Sequence, residues 1–287
     1  MESAVSGYMR PETLDHALAL LAQSGGRVAA GCTDLFPATA ARALQGPVVD
    51  ISRVAGLRGI ARGDDGVRIG AATTWSDIVK ADLPPACDML KQAAREVGAA
   101  QIQNAGTLGG NICNASPAAD GVPCLLALEA EVELASATGL RRMPLERFIT
   151  GPRKTALKQG EVVTAIHLPH PALAGRSRFL KLGARRYLVI SIAMVAVRLE
   201  VTDSTVSRVA MAVGACSAVA LRLPAVEAAL IGRKADHTLT DCVDAEAVAA
   251  AVSPLDDIRA DAAYRSHAAT ELLRRAVADV ACAERAG

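Results

Sequence analysis

The chain changes texture at Pro169-His170-Pro171, and this limits the folds open to it more than any other feature. Upstream, segments with helical and strand periodicity alternate. Downstream, three strand-like runs near 178–182, 189–200 and 206–215 precede two or three Ala-rich helical runs near 224–231, 245–252 and 260–284. Strands first and helices afterwards is an α+β pattern, distinct from an alternating first half. The boundary falls near residues 171–176. Apolar residues make up 51% of the 287-residue chain, enough for a sizeable core and against disorder. Aromatics are only 2%, so Ala, Val, Leu and Ile must fill that core.

The same totals exclude several function classes. Few aromatics argue against base-stacking nucleic-acid modules. A net charge of +1 with no basic tract leaves no electrostatic case for nucleic acid or an anionic membrane. No run has the length of a transmembrane helix. The first residues lack a charged segment followed by an apolar core, so no Sec signal is expected. The seven cysteines are scattered and form no C-x-x-C pair, against a zinc or iron–sulfur site held by this chain. Free buried thiols fit a reducing cytoplasm, the expected compartment.

In the first half, Pro11-Glu12-Thr13 open a helix carrying Leu14, Ala17, Leu18 and Leu21 on one face, and Gly25-Gly26 stop it. A strand near 27–30 runs into Gly31-Cys32-Thr33-Asp34-Leu35, with a second helical run reaching about residue 44. Strand, tight turn, helix is a geometry that aims free N–H groups at phosphate. A strand is expected over 47–52. A hairpin turns at Asp64-Asp65-Gly66, and Thr74 with Asp77 reads as a capping box. Pro84-Pro85 start a further helix. Beyond it the pattern predicts a helix over 118–128, a strand over 131–135, a short helix over 143–150 and a strand over 161–168.

The segment 101–134 carries the densest chemistry. Gly106-Thr107-Leu108-Gly109-Gly110-Asn111 reads as a backbone-exposing turn, followed by Asn114, Ser116 and Asp120. Closely spaced glycines let backbone N–H groups approach an anion, and small polar residues complete the coordination. An ordinary Gly-rich loop is the blander reading. The Gly31 loop upstream alters the balance, because two such loops could converge on a pyrophosphate. Neither is a G-x-G-x-x-G or a G-x-x-x-x-G-K-[ST] fingerprint. Asp34 would cap the following helix or accept from a ribose hydroxyl. Other features read as structural: His167 and His170 as a solvated connection, Arg185-Arg186 as a solvated edge, Trp75 as packing, and Glu129, Glu131 and Glu133 as the wet face of a strand.

Ala30-Gly31-Cys32-Thr33-Asp34-Leu35, followed by the run from Thr107 to Asp120, resembles the FAD-binding subunit of molybdenum hydroxylases. That family includes xanthine dehydrogenases and aerobic carbon monoxide dehydrogenases. Val49-Asp50-Ile51, the stretch 69–74, the stretch 151–161 and the C-terminal part share the resemblance, which feels nearest to separate-subunit bacterial xanthine dehydrogenases. It implies a vanillyl-alcohol-oxidase (PCMH-type) FAD domain over 1–173, with two α/β subdomains of about 1–55 and 56–173. A smaller α+β domain over 176–284 would follow, with a three-stranded antiparallel sheet and helices.

Residue by residue, the resemblance implies that Ala29, Ala30, Gly31, Cys32, Thr33, Asp34 and Leu35 wrap the pyrophosphate and adjoining ribose. Thr107, Gly109, Gly110 and Asn111 form a second wall. Cys113, Asn114, Ala119 and Asp120 lie along the ribityl chain and ring edge. Ile102 and Ala105 line the adenine side, Val162 and Val163 touch the adenine end, and Lys181 and Ile190 approach the isoalloxazine. Cys32 stands where a second glycine is commoner, tolerable with a negative φ, and Val189 where many relatives place an acid. No catalytic acid–base pair and no metal ligand set is expected here. Electrons would come from [2Fe–2S] clusters on a small subunit and leave to NAD or another acceptor. The substrate, a purine or another N-heterocycle, would be oxidised at a molybdenum cofactor on a large subunit, in a heterotrimer or its dimer. The alternatives are a stand-alone flavin oxidoreductase and a nucleotide-binding scaffold.

Overall fold

The computed structural model describes residues 7–39, 44–185 and 188–282. Strand β1 (Tyr8–Met9) and helix α1 (Leu14–Ser24) precede β2 (Arg27–Ala29) and β3 (Val48–Asp50). Thr13 caps α1 by accepting the His16 N–H, and Gly25, at φ 60°, ends it in a left-handed turn that glycine adopts without strain. Ala17, Leu18 and Leu21 bury the helix against Val49, Ile51 and Val54. The three strands form a parallel sheet in the order β1-β3-β2. The loop after β2 therefore leaves the carboxyl edge of a parallel sheet, where open α/β folds bind ligands. The helical run expected up to residue 44 is replaced over its described part by turns, in which Ala38 and Thr39 donate to the carbonyls of Asp34 and Phe36. Pro37 has no N–H and disfavours helical backbone at Phe36. Residues 40–43 lie outside the described residues.

The next unit contains β4 (Ile60–Gly63), β5 (Gly66–Gly70), α2 (Trp75–Lys80), α3 (Asp88–Glu96), α4 (Ala100–Ala105), α5 (Leu108–Asn114), α6 (Gly121–Ala127), β6 (Glu131–Ser136), β7 (Gly139–Pro144), α7 (Leu145–Phe148), β8 (Ile149–Gly151), β9 (Lys154–Thr155) and β10 (Val162–Pro169). Its five-stranded sheet runs β4-β5-β10-β6-β7 with antiparallel neighbours, so the last strand to be made is the central one. β10 is buried from Val162 to Leu168, which explains its nearly unbroken apolar run. The helix expected over 143–150 shrinks to four residues: Met143 pairs with Val132 in the sheet, and Ile149 pairs with Thr155.

Glu133 and His167 depart from their expected solvated roles. Both are buried, and Glu133 accepts from Thr164 Oγ1 at 2.7 Å, His167 Nε2 at 2.8 Å and Arg68 at 3.2 Å. Adjacent strands bring these partners together, a coincidence invisible to periodicity. Glu129 lies in the turn before β6 at φ 53°, not on a strand.

The C-terminal part contains β11 (Arg176–Leu182), β12 (Ala193–Thr202), β13 (Thr205–Gly214), β14 (Leu221–Arg222), α8 (Pro224–Leu230), α9 (Ala245–Ala251) and α10 (Ala262–Cys282). The sheet is an antiparallel meander of four strands rather than three, and β12 starts at Ala193 rather than near 189. The extra strand is only two residues long, too short to show in a pattern. Along β12, Ala193, Val195, Val197 and Leu199 join a core with Ala269, Leu273, Ala276 and Val277 of α10. Met194 and Ala196 on the other face join Ala210, Ala212 and the residues of α6. Those small side chains let α6 approach the sheet closely.

The expected capping box forms: Thr74 accepts the Asp77 N–H at 3.2 Å, Asp77 accepts the Thr74 N–H at 3.0 Å, and Arg58 grips the same carboxylate at 2.8 and 3.0 Å. Burial alone would push this carboxyl up, but the bonds from Arg58 and Thr74 hold it at about 2, below its ordinary 3.8. A depressed folded-state value gives stability that is present above the unfolded pKa and lost as pH falls through the folded one. After discounting for partial exposure, the contribution is about 1–2 kcal/mol. Chemical denaturation should therefore find Asp77→Asn less stable than the parent by that amount at about pH 5, with a gap narrower by roughly 1 kcal/mol at about pH 3.

Candidate functional site

A cavity of about 740 Å³ opens where the loop after β2, the segment from α4 to the start of α6, the starts of β10 and the hairpin β8–β9, and the end of β11 with residues 188–191 meet. Every residue that the resemblance assigned to the cofactor lines it except Ala105. Ala105 stands directly behind the wall. A Cβ on Gly31 would lie 1.9 Å from its carbonyl oxygen, so the two loops touch backbone to backbone and only glycine permits the contact. Gly109 has a similar reason: a Cβ there would sit 2.7 Å from both Cβ and O of Ala71. Trp75, buried as expected, packs its ring edge over Gly121.

The backbone donors of the two loops are not equivalent. In the second, residues 108–114 form α5 with Thr107 as its N-cap, instead of an open turn. The N–H groups of Leu108, Gly109 and Asn111 donate to the carbonyls of Thr73, Ala71 and Thr107, and that of Gly110 to Thr107 Oγ1. In the first loop, the N–H groups of Gly31, Cys32 and Thr33 make no hydrogen bond among the described residues. Cys32 sits at φ 57°, not at the negative value that would suit its side chain. Alternation of right- and left-handed backbone is how a short loop turns successive N–H groups toward one anion.

Charge in the cavity is closely matched. Asp120 Oδ2 lies 2.7 Å from Lys181 Nζ, and its Oδ1 accepts from Ser191 Oγ at 2.7 Å. Burial pushes the Asp120 carboxyl above its ordinary range, against the opposing pull of Lys181 and Ser191. Glu161 is held bidentately by Arg141, both contacts at 2.7 Å. Arg153, exposed at φ 58°, donates to Asn114 and ties the turn of the β8–β9 hairpin to the end of α5. Asn111 Oδ1 is buried without a partner among the described residues. Burial raises the thiols of Cys32 and Cys113, so both stay protonated at neutral pH. Val162 and Val163 are buried, whereas Ile190 is half exposed at the rim. Arg185 is exposed and turns back onto the Leu188 carbonyl, and Arg186 lies outside the described residues. Ser191, Arg153 and Glu161 were missed as cavity residues. Ser191 is the lone polar residue in an apolar run, and that was the available signal.

Residues 3–171 match the family described as FAD binding domain in molybdopterin dehydrogenase. The chain belongs to this family. Residues 178–280 of this flavoprotein match the CO dehydrogenase flavoprotein C-terminal domain. It is 32% identical to the glyceraldehyde dehydrogenase medium chain of Sulfolobus acidocaldarius, over 96% of this chain and 98% of that one. It is 29% identical to the xanthine dehydrogenase FAD-binding subunit of Escherichia coli O157:H7, over 97% of each. A carbon monoxide dehydrogenase structure from Hydrogenophaga pseudoflava superimposes with a TM-score of 0.88 at 31% identity, covering 99% of both chains. The FAD-domain fold expected from the sequence is thereby borne out.

The residues present suit FAD. The cavity volume lies in the upper part of the range for cofactor sites, about 300–1,000 Å³. Three unengaged N–H donors suit a pyrophosphate, and the orphaned Asn111 acceptor suits a ligand hydroxyl. Left-handed backbone costs a non-glycine residue about 1–2 kcal/mol, partly offset by the greater freedom of glycine in the unfolded chain. Cys32→Gly should therefore raise the stability of the cofactor-free protein by about 1 kcal/mol in chemical denaturation.

Proposed function

We propose that this flavoprotein is the electron-transfer subunit of a molybdenum hydroxylase complex, built from a FAD-binding unit over residues 1–173 and a C-terminal unit over 176–284. The complex would carry [2Fe–2S] clusters on a small partner subunit and the molybdenum cofactor on a large one, in a heterotrimer or its dimer. Bound FAD supplies the ability to accept electrons singly and release them in pairs, here to NAD or another acceptor. The protein's own residues bind and orient it. The carrying observation is the run of three unengaged N–H groups at Gly31, Cys32 and Thr33, in a loop that lines the cavity at the carboxyl edge of β2.

In this reading Ala29 to Leu35 hold the pyrophosphate and the adjoining ribose. Thr107, Gly109, Gly110 and Asn111 wall the opposite side, through the Thr107 hydroxyl and the Asn111 amide, because the N–H groups of Gly109, Gly110 and Asn111 are engaged elsewhere. Cys113, Asn114, Ala119 and Asp120 follow the ribityl chain. Ile102, Val162 and Val163 enclose the adenine end, with Ala105 backing Gly31. Lys181 and Ile190 face the ring.

The substrate would be selected on another chain. Relatives named for glyceraldehyde, xanthine and carbon monoxide match this chain over nearly its whole length at 29–32% identity, so the flavin subunit does not track the substrate. The resemblance in the sequence favours a purine or another N-heterocycle. A cytoplasmic location suits the free cysteines among the described residues, none of whose helices is long and apolar enough to cross a membrane.

The test is a visible absorption spectrum of the purified chain, with the released cofactor identified. Stoichiometric FAD is the expected result. Gly31→Val should abolish binding while leaving the fold intact by circular dichroism, because its side chain forces the loop off Ala105. A parent chain that stays colourless after incubation with excess FAD would overturn the assignment. Iron and molybdenum in the co-purified complex test the partner subunits separately.

A further inference from the structure

One stretch of the cavity wall is pinned to the rest of the molecule by a single residue. From 149 to 160 no residue is buried, although Phe148 before it and Val162 after it are. The hairpin β8–β9 inside this stretch is a two-stranded sheet of its own, paired with no other strand among the described residues. Its base is firm. The Ala156 N–H donates to the Phe148 carbonyl at 2.8 Å, and Arg141 donates to the Ala156 carbonyl at 3.0 Å while it grips Glu161. The tip has far less. Apart from the pairing of the two strands, residues 150–154 bond to the rest of the chain through Arg153 alone among the described residues. The Arg153 N–H donates to the Ala115 carbonyl at 2.8 Å, and its Nη1 donates to the Asn114 carbonyl at 3.3 Å and to Asn114 Oδ1. Both sides of this catch are strained. Arg153 and Ala115 hold φ at 58° and 45°, a region that glycine enters freely and other residues only against steric resistance. Arg153, Asn114 and Leu157 all line the cavity. A segment with no buried residue, fixed at its base and caught once at its tip, opens more readily than the elements around it. The glycine loops differ, being locked backbone to backbone at Gly31 and Ala105.

We propose that the β8–β9 hairpin is a flap on the cofactor cavity and that Arg153 is its latch, setting how fast FAD enters and leaves. The inference rests on FAD occupying this cavity, and it requires no contact between Arg153 and the cofactor. Every group in the latch belongs to the protein, so the latch closes in the same way with or without a ligand. A bond common to both states shifts no binding equilibrium. Loosening it raises the open fraction of both, and entry and release accelerate by one factor. A residue that grips the cofactor itself behaves differently, because its loss speeds release and leaves entry alone.

The experiment compares the purified parent with Arg153→Gly and Arg153→Lys. Glycine suits the left-handed turn and keeps the N–H to Ala115, so only the guanidinium is lost. Lysine keeps the charge without the fork of donors. FAD binding to the apoprotein and FAD release on dilution are timed by flavin fluorescence. In Arg153→Gly both rates should rise at least about fivefold, the scale of one lost hydrogen bond, with Kd within about threefold of the parent. Arg153→Lys should fall between the two. Unchanged rates in Arg153→Gly overturn the proposal. Faster release with unchanged entry also overturns it, since that marks Arg153 as a cofactor contact. Should Arg153→Gly not fold, Arg153→Lys is judged by the same criterion. Amide hydrogen exchange over residues 149–156 gives a reading independent of FAD. It should quicken in the variant by a similar factor, with β10 unaffected. A parent that binds no FAD sinks the cavity assignment, and hydrogen exchange then decides the latch, which falls if exchange at the tip is unchanged.

Discussion

Helix α6 is held at both ends by side chains from the C-terminal part, and the rest of the structure depends on that grip. All seven of its residues are buried, so the polar groups at its ends need protein partners in place of water. At the front, Asp120 meets Lys181 and Ser191. At the back, Arg198 donates to the Ala127 carbonyl at 3.0 Å and Arg222 to the Leu126 carbonyl at 3.4 Å, placing positive charge at the negative end of the helix. Arg198 is itself buried and paired with Glu129, so the clamp sits inside the molecule. The small residues Ala196, Ala210 and Ala212 on the facing side of the C-terminal sheet suit it, because a helix gripped this tightly leaves little room for larger side chains.

The glycines of the two loops have a different physical meaning from the one their spacing suggested. Gly31 and Gly109 are there so that protein backbone can approach protein. Their contacts set the positions of the walls, and the anion-directed donors are left to the loop after β2. A Gly-rich segment can thus mark a ligand site although the space left by its missing side chains is filled by protein and not by the ligand.

Much of the fold was legible from periodicity and capping chemistry. The helix ended by Gly25, the Thr74–Asp77 box and the buried run of β10 came directly from residue types at fixed spacings. The cavity residues were found because two separated motifs matched one family pattern, not because either motif was decisive alone. What escaped were facts set by pairing in space. Glu133 looks like a solvated strand residue until Arg68, Thr164 and His167 arrive from neighbouring strands. The idle and engaged N–H groups of the two loops cannot be told apart without their acceptors. Cys32 in left-handed backbone breaks a local preference, and such departures concentrate where surrounding structure and a ligand site impose the conformation.

The central place of β10 has a consequence for how the molecule is made. β5 and β6 lie on either side of it and cannot be joined into one sheet until residues 162–169 have left the ribosome. Residues from 60 onward must wait, with their apolar faces uncovered, for a strand about a hundred positions downstream, and contacts of such separation are slow to form. The cavity is completed later still, when the chain past Ser191 emerges. Flavin insertion is therefore a late event in the life of this chain, following synthesis of both walls and available only to a molecule that has already closed its sheet.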